Sequence, residues 1–96
     1  MRMNRESLIN LRRALAFAEN ELGLNTLSET EKQLYYAAVE NADEEGNFVS
    51  DKIRQSEWCS DIPHATYHRL LAQLTKSGIF TKVEGAQRNR YKIVDL

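Results

Sequence analysis

Residues 62–84 read IPHATYHRLLAQLTKSGIFTKVE, and their hydrophobic period changes part-way along. In the first half, Tyr67, Leu70, Leu71 and Leu74 fall within ~100° of arc at helical spacing, so a helix is expected from about Pro63 to Lys76 or Ser77. Proline suits the first helical position, where its missing N–H would have had no partner in any case. Gly78 then supplies a left-handed stop. Beyond the glycine the period falls to two. Residues 79–84 read as one strand and 91–94 as a second, joined by a long polar hairpin loop over 85–90.

Upstream, the pattern is helical. Leu8, Leu11, Leu15, Ala18 and Leu22 recur with 3-4-3-4 spacing, placing one stripe along a helix over residues 5–22, and Gly23 ends it. Ile9 and Ala16 lie well to one side of that stripe, and Phe17 lies nearly opposite. Ser28-Glu29-Thr30-Glu31 is a capping box that opens a second helix reaching about Ala42. Its expected buried side is Leu34, Tyr35, Ala38, Val39 and Ala42. Residues 43–47 read as a plain loop, because crowded acids and a Gly-Asn pair both oppose helix. A short third helical segment follows, with Ser50 as N-cap, Asp51 in its first turn and Ile53 as its first buried residue, extending to Trp58. Three or four helices followed by one β-hairpin make an α+β chain that is mainly α.

Ninety-six residues suit one hydrophobic core, and 42% apolar with 28% charged residues is ordinary globular composition. The longest apolar run, residues 34–39, is far short of the ~20 a membrane span needs, so no membrane partner is expected. The N-terminus mixes charges and lacks the apolar run of a signal peptide. A single cysteine, Cys59, excludes an internal disulfide and suits a reducing cytoplasm. The net charge of −1 hides an asymmetry: residues 40–59 carry −4 and residues 60–96 carry +3. A positive C-terminal part on a near-neutral chain suggests a localised anion-binding face, although a solvated mixed-charge surface explains the same numbers.

The run from Ile62 to Leu74, followed by Lys76-Ser77-Gly78-Ile79-Phe80, resembles the recognition helix of winged helix-turn-helix proteins, MarR-like transcriptional regulators in particular. A hydroxyl residue, then an apolar one, then an arginine two further on are followed by a leucine pair, a closing glycine and a β-branched strand start. The loop with Arg88 and Arg90 resembles the basic wing of that family. The resemblance implies a three-helix core with an added N-terminal helix and a C-terminal two-stranded β-wing. It further implies a double-stranded DNA partner and no cofactor.

The residues support that reading by themselves. Opposite the core arc of the 63–77 helix lie Ala65, Arg69, Ala72 and Lys76, flanked by His68 and Gln73. Two alanines between long donors allow close approach to a major groove about one helix wide. Arg69 can pair with guanine O6 and N7 and Gln73 can read adenine, with His64, Ala65 and His68 beside them, while Thr66 and Lys76 suit phosphate. Lys82, Arg88, Asn89 and Arg90 form the wing set, fit for backbone or a narrow minor groove. The bland counterparts are a solvated helix face and an exposed loop with two solubilising charges.

Other chemistry has weaker support. His64 and His68, four apart with Cys59 and Asp61 upstream, have zinc-like spacing, yet Ala65 follows the first histidine where metalloprotease chemistry needs glutamate. Groove-facing histidines explain the pair more simply, so no metal is expected. Cys59 beside Trp58 is a redox sensor or, more commonly, a small core residue. Tyr35 falls on the buried arc, whereas Tyr36 falls off it, toward the first helix or another subunit. No catalytic set emerges, and the chain is expected not to be an enzyme. Residues 1–24 are read as a dimerisation helix and 25–96 as the DNA-binding domain. No helix follows the wing, so a homodimer is expected through the first helix: Leu8, Leu11, Leu15 and Leu22 on one surface, Ile9 and Phe17 on another. One of these surfaces would pack on its own domain and the other on a symmetry mate. The rival reading, favoured by near-neutral charge and the acids of 40–59, is a winged-helix protein-interaction module that does not bind DNA.

Overall fold

The computed structural model describes residues 4–85 and 89–94. Four helices, α1 (Arg5–Glu21), α2 (Glu29–Asn41), α3 (Ser50–Arg54) and α4 (His64–Lys76), accompany three short strands, β1 (Asn47–Val49), β2 (Phe80–Lys82) and β3 (Arg90–Ile93). The chain is therefore α+β and mainly helical. Among the described residues, no helix is long and apolar enough to cross a membrane.

Local chemistry accounts for the helix boundaries. Asn4 caps α1 by accepting the Ser7 N–H at 2.8 Å. The α1 C-terminus closes as a Schellman motif, with the Leu24 N–H on the Glu19 carbonyl, the Gly23 N–H on that of Asn20, and Gly23 at φ 75°. In α2 the capping box is complete: the Glu31 N–H donates to Ser28 Oγ at 3.2 Å, and the Ser28 N–H donates to Glu31 Oε1 at 3.0 Å. Along α4, Tyr67, Leu70, Leu71 and Leu74 are buried, as their spacing requires.

The sheet differs from the expected two-stranded wing. It has three antiparallel strands in the order β1-β3-β2, with the last strand in the centre. Phe48 pairs with Tyr91 on one side of β3, and Phe80 pairs with Ile93 on the other. The segment read as a plain loop delivers β1. Asp43 accepts the N–H groups of Glu45 and Asn47 at 2.9 Å each, and the Gly46 carbonyl accepts from Ile93 N–H. Gly46 sits at φ 87°, a conformation open to glycine at little cost. Three residues are too short a run to display a period, and β1 exists because β3 offers an edge for it to pair with.

The third helical segment also differs. Ser50 is not a side-chain cap but the first helical residue, with its N–H held by the Asn89 carbonyl, and α3 ends at Arg54 instead of reaching Trp58. The Gln55 and Ser56 N–H groups turn back three residues to Lys52 and Ile53. Ser56 is then extended, and Glu57–Cys59 forms a separate 3-10 turn that brings Cys59 into the core.

The core gathers around α2 and α4. Leu34, Ile53, Tyr67, Leu74 and Phe80 are all but sealed from solvent, and Tyr35 stacks on Phe80 with ring centroids 6.2 Å apart. The buried side of α2 is rotated from the expected one: Ala37 is buried, and Val39 is 51% exposed. The reason lies in α1, which stands off from that side. No residue of α1 is buried, so neither its leucine stripe nor the Ile9–Phe17 side packs into its own domain as expected. Leu24, at the end of the segment read as the N-terminal element, is 1% exposed and plugs the core.

Candidate nucleic-acid interface

The burial of Tyr67, Leu70, Leu71 and Leu74 fixes the rotation of α4 and thereby decides which side chains face outward. His64, Ala65, His68, Arg69, Ala72, Gln73 and Lys76 are all exposed, and Thr66 is half-buried. No residue of α4 is acidic, and among the described residues no side chain caps its first turn. Its free N–H groups and the positive end of its dipole therefore meet solvent together. Asp61, exposed just upstream, is the nearest carboxylate in the sequence.

Two contacts set the pose of α4 against α3. The Tyr67 hydroxyl, buried in the core, donates to the Ser50 carbonyl at 2.8 Å. Burial pushes this phenol far above the ordinary tyrosine range, because its anion would have no water around it. At the surface, the Arg54 guanidinium donates to His64 Nδ1. The His64 and His68 rings meet edge to face at 4.4 Å, and His68 meets Tyr67 at 5.4 Å. Histidines and arginine thus form one cluster at the start of α4. Arg54 was not legible as part of this face, since ten residues separate it from His64 and only the α3–α4 packing joins them.

The expected wing set does not stay together. Strand alternation puts Arg90 and Lys92 on one face of β3 and Tyr91 on the other; Lys82 is level with Tyr91, on the face opposite Arg90. Arg90 is half-buried and close enough to Asp43 for its charge to help hold that carboxyl below the usual range, after the larger effect of the Asn47 N–H. Asn89 spends its side-chain amide on Asp51 at 2.9 Å, and its carbonyl accepts the Ser50 N–H. It therefore anchors the β2–β3 connection to the start of α3. Lys82 and Lys92 are exposed cations. Arg88 lies outside the described residues.

No family model, curated protein or solved structure matches the chain.

Among the described residues, no group of three or more His, Cys, Asp or Glu side chains is placed to hold a metal ion. Cys59 is buried while His64 and His68 are exposed, which separates the zinc-spaced residues. Burial raises the Cys59 thiol above its ordinary pKa, the behaviour of a core residue and the opposite of an activated thiol. Tyr36 reaches the first helix: its hydroxyl donates to Glu19 Oε2 at 2.6 Å.

Proposed function

We propose that this chain is a winged helix-turn-helix domain of the MarR-like kind that binds duplex DNA sequence-specifically and regulates transcription. One observation carries the reading. The face of α4 opposite the core is free of carboxylates, presents Arg69 and Lys76 flanked by His68 and Gln73, and keeps Ala65 and Ala72 as low points between them. A helix ~10–12 Å across fits a major groove of about that width, and small residues let the backbone approach the base edges. The element order α2-β1-α3-α4-β2-β3, with a hairpin directly after α4, supports the winged-helix assignment.

In this reading Arg69 and Gln73 meet base edges with Ala65 and His68 beside them. His64, Thr66 and Lys76 meet phosphate together with the uncapped start of α4. Lys82 and Lys92 supply wing cations, and Arg88 and Arg90 the loop charges. In this reading the protein is a binding module and not an enzyme, and a DNA partner together with a lone thiol suits the cytoplasm. The rival, a protein-interaction module without DNA binding, draws on the −4 charge of residues 40–59.

Fluorescence anisotropy with a random duplex at low salt separates the two. Binding whose log affinity falls linearly with log salt, with a slope of about −3 to −6 for that number of phosphate contacts, is the expected result. Absence of binding at low salt would refute DNA as the ligand and favour the rival.

A further inference from the structure

We propose that the cleft between α1, α2 and the 3-10 turn binds a small organic cation of the quaternary ammonium class. The proposal does not rest on DNA binding, and no residue of α4 takes part in it.

Five side chains line the cleft: Leu15 from α1, Tyr36, Val39 and Glu40 from α2, and Trp58 from the turn. Its volume, about 400 Å³, is that of a small-molecule site. The two rings form a corner. Tyr36 and Trp58 have centroids 5.4 Å apart and planes 49° from parallel, so a rounded group in the cleft can touch both. Each ring is fixed at its polar end. The Tyr36 hydroxyl donates to Glu19 Oε2 at 2.6 Å, and the Trp58 indole N–H donates to Glu40 Oε2. Tyr35 braces Tyr36 edge to face at 6.2 Å and itself stacks on Phe80 in the core. The corner is therefore held in place before a ligand arrives, which spares the cost of ordering it.

The electrostatics select a cation. The face of an aromatic ring is the negative part of its quadrupole, and cations settle within ~6 Å of the centroid. A ring whose N–H or O–H donates to a carboxylate gains electron density, which strengthens that attraction. Glu40 adds a full negative charge at the wall, and among the described residues it forms no ion pair with a lysine or arginine. Lys32, one turn before Tyr36, is committed to Glu19 and Glu29.

Leu15 and Val39 narrow the choice of cation. A metal ion or a primary ammonium would lose hydration against these apolar walls with nothing there to replace it. A trimethylammonium spreads its charge over methyl groups and meets rings and aliphatic side chains alike. Convergence of three elements on one spot suits a free small molecule, because a peptide would also need a strand edge or a long groove for its backbone.

Trp58 is the sole tryptophan and is 38% exposed at the cleft, so its emission reports occupancy. Titration of the full chain with choline chloride, up to ~50 mM at constant ionic strength, should change that emission saturably. The neutral isostere 3,3-dimethylbutan-1-ol, with carbon in place of nitrogen, should bind at least about tenfold more weakly. Glu40→Gln, at an exposed position, should keep the helical circular dichroism and weaken choline about fivefold while leaving the alcohol unchanged. No saturation by choline would overturn the site. Equal binding of choline and the alcohol, or a Glu40→Gln chain that binds choline like wild type, would overturn the selection of a cation. A trimethyllysine peptide that binds more than about tenfold tighter than choline would overturn the free small molecule as occupant.

Discussion

Replacing Tyr67 by Phe removes one oxygen atom from the junction of α3 and α4. The hydroxyl is sealed in a residue 1% exposed and donates to the carbonyl of Ser50, itself 3% exposed. Deleting it loses a hydrogen bond with a net contribution of ~1 kcal/mol, and the orphaned carbonyl adds desolvation toward the ~1–3 kcal/mol range. The ring stays, so no large cavity opens, and the phenylalanine recovers part of the loss because no hydroxyl has to be buried. The expected cost is ~1–2 kcal/mol, which lowers Tm by roughly 4–16 °C for a domain of this size. Thermal and urea unfolding followed by circular dichroism measure it. Tyr36→Phe is the internal control: the same atom is removed from a half-buried ring whose partner, Glu19, lies on α1 outside the core, and the loss should be smaller. The two variants separate a core bond from a tether. If Tyr67→Phe unfolds like wild type, within ~0.3 kcal/mol, the bond does not couple α3 to α4 and the pose of the outward face rests on apolar packing alone.

Arg69→Ala should cost ~1–3 kcal/mol at the best DNA site and relax preference at one base position, whereas Lys76→Ala should weaken all duplexes alike and shrink the salt slope by about one. Anisotropy titrations at several salt concentrations distinguish them, and a pair of variants binding like wild type would remove α4 from the interface. Gly46→Ala forces a Cβ into φ 87° at 3.5 Å from the Ile93 carbonyl oxygen; strain of ~1–2 kcal/mol should appear in urea unfolding, and its absence would mean the turn re-forms around alanine. The Tyr36 hydroxyl, then Lys32, holds the Glu19 carboxyl below its usual value of 4.5. A depressed carboxyl contributes to α1 docking above that value and loses its contribution as pH falls through the lowered one. Amide protection across α1, taken relative to the intrinsic exchange rate at each pH, should therefore fall under acid conditions in wild type but not in Glu19→Gln, and identical protection profiles would refute the tether.

Helices and turns were legible because their causes are local. The stripe of Tyr67, Leu70, Leu71 and Leu74, the capping box at Ser28 and the stop at Gly23 each act within about one turn of chain, so residue order alone determined them. The outward face of α4 was legible for the same reason: a helix with one side in the core can point only its other side at a ligand. Tertiary structure decided whatever depends on a partner far along the chain. Strand β1 exists because β3, some forty residues later, offers it an edge, and the Asn89 side chain is tied to the start of α3 because Asp51 stands beside it. Arg54 joins the histidines only through the packing of α3 on α4. The leucine stripe of α1 was plain in the sequence, but its remaining uncovered was not. Periodicity states which residues of a helix share a side; where the helix goes is set by the turn at Gly23, the Leu24 plug and the Glu19–Tyr36 bond, and these hold α1 away from the core it could have covered.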